Sequence, residues 1–89
     1  MLILKTTGRF KEDLKRAAKQ GKDIDDLQYA VDLLQSGKPL SASYFDHALT
    51  AGWKGHRECH IEPDWLLIYK VTDSEIIFER TGTHSDLFE

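Results

Sequence analysis

Four histidines (His47, His56, His60 and His84), one cysteine (Cys59) and an aspartate next to a proline (Asp64 after Pro63) are the side chains best suited to chemistry in this 89-residue chain. Metal binding is the first chemistry they suggest. His56 and His60 stand four apart, but "WKGHRECHI" alternates like a strand. Four strand residues span about 13 Å, and zinc ligands must lie near ~2 Å from one ion, so the pair cannot share it. "HRECH" also lacks the glutamate directly after the first histidine that a zincin helix needs. Nucleophilic catalysis is no better supported. Cys59 alternates with His60 and points to the other face, where a cysteine acts as a small hydrophobe. His84, Ser85 and Asp86 adjoin in sequence, whereas a catalytic triad is assembled in space. A single cysteine excludes an internal disulfide framework. No metal or other cofactor is expected.

A metal-free acid–base site remains. His47 lies in a long loop, His60 and Asp64 flank a turn between two strands, and His84 lies in the tail. Imidazole donates or accepts a proton near neutrality. RNA cleavage through its own 2′-hydroxyl needs that chemistry: one group takes the hydroxyl proton, another protonates the 5′-oxygen, and a cation supports the phosphorane. Trp65 and Phe88 offer flat surfaces on which bases can stack. Each residue also has an ordinary reading. A lone histidine is usually a surface or structural residue, Asp64 is a normal turn residue, and Trp65 and Phe88 suit a core.

The elements that must position these groups follow from periodicity. "MLILKT" is β-rich. Thr7 caps a helix whose stripe is Phe10, Leu14, Ala17 and Ala18, and Gly21 ends it. Asp23 caps a second helix with Ile24, Leu27, Val31 and Leu34 on its stripe, closed by Ser36-Gly37. The short "GKD" link makes the two an antiparallel hairpin. Residues 38 to 52 have no clear period and read as a long loop, a common home for function. "WKGHRECHI", "WLLIYKV" and "EIIFER" then form a three-stranded antiparallel meander. The order predicts a single α+β domain over residues 1–89, with two helices on one face of a mainly antiparallel sheet of about four strands.

At 40% hydrophobic and 30% charged, the chain has the composition of a soluble globular protein with one modest core. It has no apolar run of membrane-span length, so a cytoplasmic location without membrane contact is expected. Net charge is −3, but unevenly spread. Residues 1–22 carry seven basic groups against two acidic ones, or +5, and the remaining 67 carry five against thirteen, or −8. The basic first third suits contact with a polyanion or an acidic partner.

"WKGHRECHIEPDWLLIYK" followed by "ERTGTHSDLF" resembles the YafQ branch of the RelE/ParE toxin superfamily, and the likeness runs through the helical hairpin and the "DHAL" loop. The resemblance implies a RelE-like fold and a ribosome-dependent endoribonuclease, the toxin of a type II toxin–antitoxin pair, which cuts A-site mRNA without metal. Its expected partners are a cognate antitoxin, the ribosome and mRNA. Residue by residue, it implies catalytic roles for His47, His60, Asp64 and His84, with Trp65 and Phe88 as the aromatics beside them. His56 stands where an aromatic is expected, and its role is open. Arg80, just before "TGTH", is expected to contact the scissile phosphate. With Lys54, Arg57 and the first helix, it would supply the ribosome-facing charge. The alternative on the same fold is a ParE-like toxin without a nuclease site, or a module that only binds its antitoxin.

Overall fold

The structure, a computed structural model, describes residues 1–88. Strand β1 (Ile3–Thr6) leads through Thr7 into helix α1 (Gly8–Lys19). The Thr7 hydroxyl accepts from the Phe10 N–H at 3.0 Å, satisfying one of the helix's free donors. After α1, Gly21 adopts φ +80°, and the N–H groups of Gly21 and Lys22 donate to the carbonyls of Ala18 and Ala17. That is the glycine-closed helix end that the sequence predicts. Asp23 caps α2 (Ile24–Gln35), and Gly37 closes it in the same way.

The sheet has five strands: β1, β2 (His47–Ala48), β3 (Arg57–Glu62), β4 (Trp65–Val71) and β5 (Glu75–Gly82). Their spatial order is β1-β5-β4-β3-β2, with β1 parallel to β5 and the other pairs antiparallel. The sheet is therefore mixed, and it has one strand more than the sequence suggests. The extra strand is two residues long and lies in the 38–52 loop, too short to leave a periodic signal. Two 3₁₀ turns, Ala42–Tyr44 and Ala51–Trp53, flank it, so β3 begins at Arg57 rather than at Trp53. The tail forms a short helix, α3 (His84–Phe88).

Helices α1 and α2 cover one face of the sheet. Phe10, Ala17, Leu27, Val31 and Leu34 pack there against Cys59, Trp65, Leu67, Tyr69, Ile76 and Phe78. Ala18, placed on the α1 stripe from sequence, is exposed, and Asp13 is buried instead. The other face holds a smaller cluster, in which Leu87 of α3 covers Leu66 and Ile68 beside Leu49 and Trp53. Among the described residues no helix is long and apolar enough to cross a membrane.

Beyond Thr6, the partner of Phe78 in β1, the edge of β5 has no strand beside it. Side chains at the start of and within α1 take that place. The Thr7 hydroxyl donates to the Glu79 carbonyl at 2.9 Å, and Asp13 accepts from the Thr81 N–H at 3.2 Å. Buried backbone groups need such partners, and here they fix α1 against the strand that leads to His84.

Candidate active site

Strand β3 is the foundation of the site. Along Arg57–Glu62, Cys59 faces the helices, while Glu58 and His60 face the opposite side. His47 lies directly across from Glu58 in the β2–β3 ladder. Its Nε2 is 3.1 Å from Glu58 Oε2, and His60 Nε2 is 3.7 Å from the same oxygen. Glu58 is only 5% exposed, so this carboxylate is buried between two imidazoles.

The loop carrying His47 is tied down by its neighbour. Asp46 accepts from the Tyr69 hydroxyl at 2.8 Å and from Arg57 Nε at 3.2 Å. Burial and the Asp46 carboxylate push the Tyr69 phenol well above its ordinary range, so it remains a proton donor to Asp46. His47 Nδ1 donates to the Phe45 carbonyl at 2.6 Å. Both ring nitrogens of His47 thus face acceptors, which fix the ring in place.

The hairpin between β3 and β4 brings in the second half. Its loop is Pro63-Asp64, with Ile61 as an extra, unpaired residue just before it. Proline cannot adopt the positive φ of the favoured two-residue hairpin turns, and a bulge restores the twist that such a turn lacks. His60 Nδ1 donates to the Pro63 carbonyl at 3.2 Å. Asp64 reaches across to the start of α3. Its Oδ1 accepts from the His84 N–H at 3.0 Å and from His84 Nδ1 at 3.1 Å. These two bonds, with help from the nearby Lys22 charge, hold the Asp64 carboxyl below its usual range.

The result is a row of rings. His47 and His60 have centroids 6.3 Å apart, His60 and His84 6.1 Å, and His84 and Phe88 6.1 Å. Nδ1 of both His60 and His84 is held by an acceptor, which turns His60 Nε2 toward Glu58 at 3.7 Å.

His47, His60, Asp64, His84 and Phe88 therefore converge, and three expected residues do not. Trp65 is fully buried in the core beneath the helices, so no base can stack on its indole. Lys22 Nζ sits 5.5 Å from its ring centroid. Arg80 is 9% exposed and its guanidinium is taken by Asp13, through Nε at 2.6 Å and Nη2 at 3.0 Å, instead of being turned toward His84. Lys54 is exposed in the turn before β3, and among the described residues no ion pair or hydrogen bond joins it to the histidine row. His56 packs edge-on against Trp53 at 5.3 Å, with Nε2 3.9 Å from Glu79. Cys59 is fully buried, and burial pushes its thiol up to about 12, which leaves it inert at neutral pH. Among the described residues no three His, Cys, Asp or Glu side chains are grouped to hold one metal ion.

Glu58 is the residue that sequence reasoning missed. The signal was present: Glu58 and His60 are two apart on one strand, so they share a face. Replacing Glu58 by glutamine keeps its shape and removes its charge. Glu58→Gln turns the carboxylate that His47 and His60 both face into an amide and is expected to slow the site's reaction by about 10- to 100-fold. An unchanged rate would make Glu58 merely structural.

Comparison with known proteins gives this geometry a context. Residues 2–89 match the family model described as the bacterial toxin of type II toxin–antitoxin system, YafQ. The mRNA interferase toxin YafQ of Escherichia coli (strain B / BL21-DE3) is 52% identical over 83 residues, covering 92% of this chain and 90% of that protein. The crystal structure of YafQ from E. coli strain BL21(DE3) matches with a TM-score of 0.96 at 47% identity, covering 100% of both chains. The toxin in the E. coli DinJ–YafQ toxin–antitoxin complex matches with a TM-score of 0.93 at 47% identity, covering 99% of this chain and 98% of that one.

Proposed function

The chain belongs to the YafQ family of type II toxin–antitoxin toxins, and from that premise we propose that it is an mRNA interferase that cuts ribosome-bound mRNA in the A site and so inhibits translation. The observation that carries this reading is the row of three imidazoles, spaced 6.3 and 6.1 Å apart, with each ring anchored by an acceptor. In the reaction, one of His60 and His84 takes the proton of the substrate's 2′-hydroxyl. The oxygen attacks the adjacent phosphorus, and the other ring delivers a proton to the departing 5′-oxygen. Each partner is worth about 10²–10⁴ in rate. Asp64 orients His84. His47, held by Glu58 and the Phe45 carbonyl, stands beside His60 and helps to position it. Phe88 lies beside His84, 43% exposed, where a base can stack.

The E. coli relative has been crystallised with the antitoxin DinJ. By that likeness this chain is held in check by a small antitoxin of its own. The basic face of α1, with Arg9, Lys11, Lys15 and Lys19, is the surface best charged to meet the ribosome or an acidic antitoxin segment.

The products decide the mechanism. Because the nucleophile belongs to the substrate, the fragments should carry a 2′,3′-cyclic phosphate, or the 3′-phosphate it hydrolyses to, and a 5′-hydroxyl. End-group analysis of mRNA cut on purified ribosomes reads this directly. 5′-Phosphate ends would exclude attack by the 2′-hydroxyl.

A further inference from the structure

A phosphorane carries more negative charge than the phosphate it forms from, and a cation placed beside it lowers the barrier. The histidine row itself faces two carboxylates, Glu58 and Asp64. The arginines around it are taken, Arg57 by Asp46, Arg16 by Asp13 and Asp86, and Arg80 by Asp13. We propose that Lys22, in the link between α1 and α2, is the cation of this site: its ammonium contacts a non-bridging oxygen of the scissile phosphate beside Asp64 and His84 and stabilises the phosphorane. The proposal rests on the nuclease reading and adds to it the group that meets the phosphate.

Position supports this first. Lys22 Nζ stands 5.5 Å from the centroid of the Trp65 ring. Trp65 directly follows Asp64 at the hairpin between β3 and β4, and Asp64 Oδ1 holds His84 through its N–H and its Nδ1. The link between the helices therefore reaches the rim of the site from the helix side of the sheet, while α3 brings His84 from the other side. Asp64 feels the ammonium. The two bonds from His84 hold its carboxyl below the ordinary range, and the Lys22 charge adds to them.

The link also holds the charge in one place. Gly21 ends α1 at φ +80°, the Lys22 N–H donates to the Ala17 carbonyl at 3.1 Å, and the next residue, Asp23, caps α2. Lys22 is half-buried, over an indole that is fully buried. Lysine stems cover apolar surface in this way while the charged head stays in water. Among the described residues that head forms no ion pair. A cation fixed at its stem, unpaired at its head and set beside the acid–base groups suits an anionic ligand. Trp65 gains a role by the same geometry: packed in the core, it supports the lysine instead of a base.

The test is single-turnover cleavage by the full chain on programmed ribosomes over a range of toxin concentrations, with urea unfolding alongside. The concentration series separates the rate at saturation from affinity for the ribosome. Lys22→Met keeps the stem over Trp65 and removes the charge. It should lower the saturated rate by about 10²-fold, with the affinity and the unfolding midpoint unchanged. Lys22→Arg keeps a charge and should recover most of the rate. A saturated rate that Lys22→Met leaves intact would overturn the proposal. So would a loss confined to affinity, which would make Lys22 a contact to the ribosome. Equal losses in Lys22→Met and Lys22→Arg, or a loss that follows the unfolding midpoint, would overturn it as well and leave Lys22 a structural cover for Trp65. Failure of the unsubstituted chain to cut any mRNA would instead sink the nuclease reading and the role of Lys22 together.

Discussion

Replacing His60 and His84 together by alanine is expected to cut the cleavage rate by about 10⁴-fold or more and to abolish toxicity, while the fold survives. Each ring as acid or base contributes about 10²–10⁴. Groups that act as a unit are not additive, so each single variant should already account for most of the loss. Stability should hold because neither ring belongs to the hydrophobic clusters. The His84 side chain is 57% exposed and Asp64, its partner, 66%, so Asp64 returns to water when the ring is removed. The measurement is single-turnover cleavage on programmed ribosomes, alongside thermal unfolding. A substrate with hydrogen in place of the 2′-hydroxyl at the cut site should reproduce the loss with the unsubstituted protein. Toxicity retained by the double variant would favour a mode of action without a nuclease, as in ParE-like toxins.

Much of this site was legible because strand and turn rules are local. "HIEPDW" places His60 and Asp64 on either side of a short hairpin, and "TGTH" places His84 just after a strand. What the pattern does not give is facing. "WLLIYKV" is apolar on both sides, since each face of β4 is covered, by the helices on one and by α3 on the other. Continuous apolar runs carry no period that tells one face from the other. Trp65 therefore reads equally well as a stacking surface and as core, and it is core.

Arg80 was illegible for a different reason. The β4–β5 ladder slips between Ile68 and Tyr69, which leaves Glu79 as an extra residue in β5. A bulge redirects the side chains that follow it, and no motif marks this one in the sequence. The partner, Asp13, lies 67 positions away on α1. Helical periodicity places Asp13 between Phe10 and Ala17 on the inward side, but an acidic residue there reads as surface until its cation is known. The parallel pairing of β1 with β5 escaped for the same reason, because it joins residues some 72 positions apart.

Arg80→Ala is accordingly expected to act on stability first. Asp13 is 3% exposed and accepts from Arg80 Nε and Nη2, from Arg16 Nη2 at 3.0 Å and from the Thr81 N–H. Breaking a buried pair by removing one partner costs about 3–5 kcal/mol, and because Asp13 keeps Arg16 and the Thr81 N–H, Arg80→Ala is expected to fall toward the lower end of that range. Domains of this kind are stable by only about 5–15 kcal/mol, so the midpoint of urea unfolding should drop steeply while the slope stays constant. The pH dependence checks the same pair. Burial pushes the Asp13 carboxyl up, but the bonds from Arg80 and Thr81 and the charge of Arg16 outweigh it and hold the group below its ordinary value. The unfolded chain therefore binds this proton at a higher pH than the folded one. The stabilisation is complete above the unfolded value of about 3.9 and disappears as pH falls through the folded value. Unfolding measured between about pH 5 and 2 should show the unsubstituted protein losing this contribution below about pH 4. In Arg80→Ala burial meets weaker opposition, the carboxyl moves up, and that acid-side loss should shrink or reverse. If Arg80 instead held the scissile phosphate, its removal would cut cleavage while leaving both the urea midpoint and this acid limb in place.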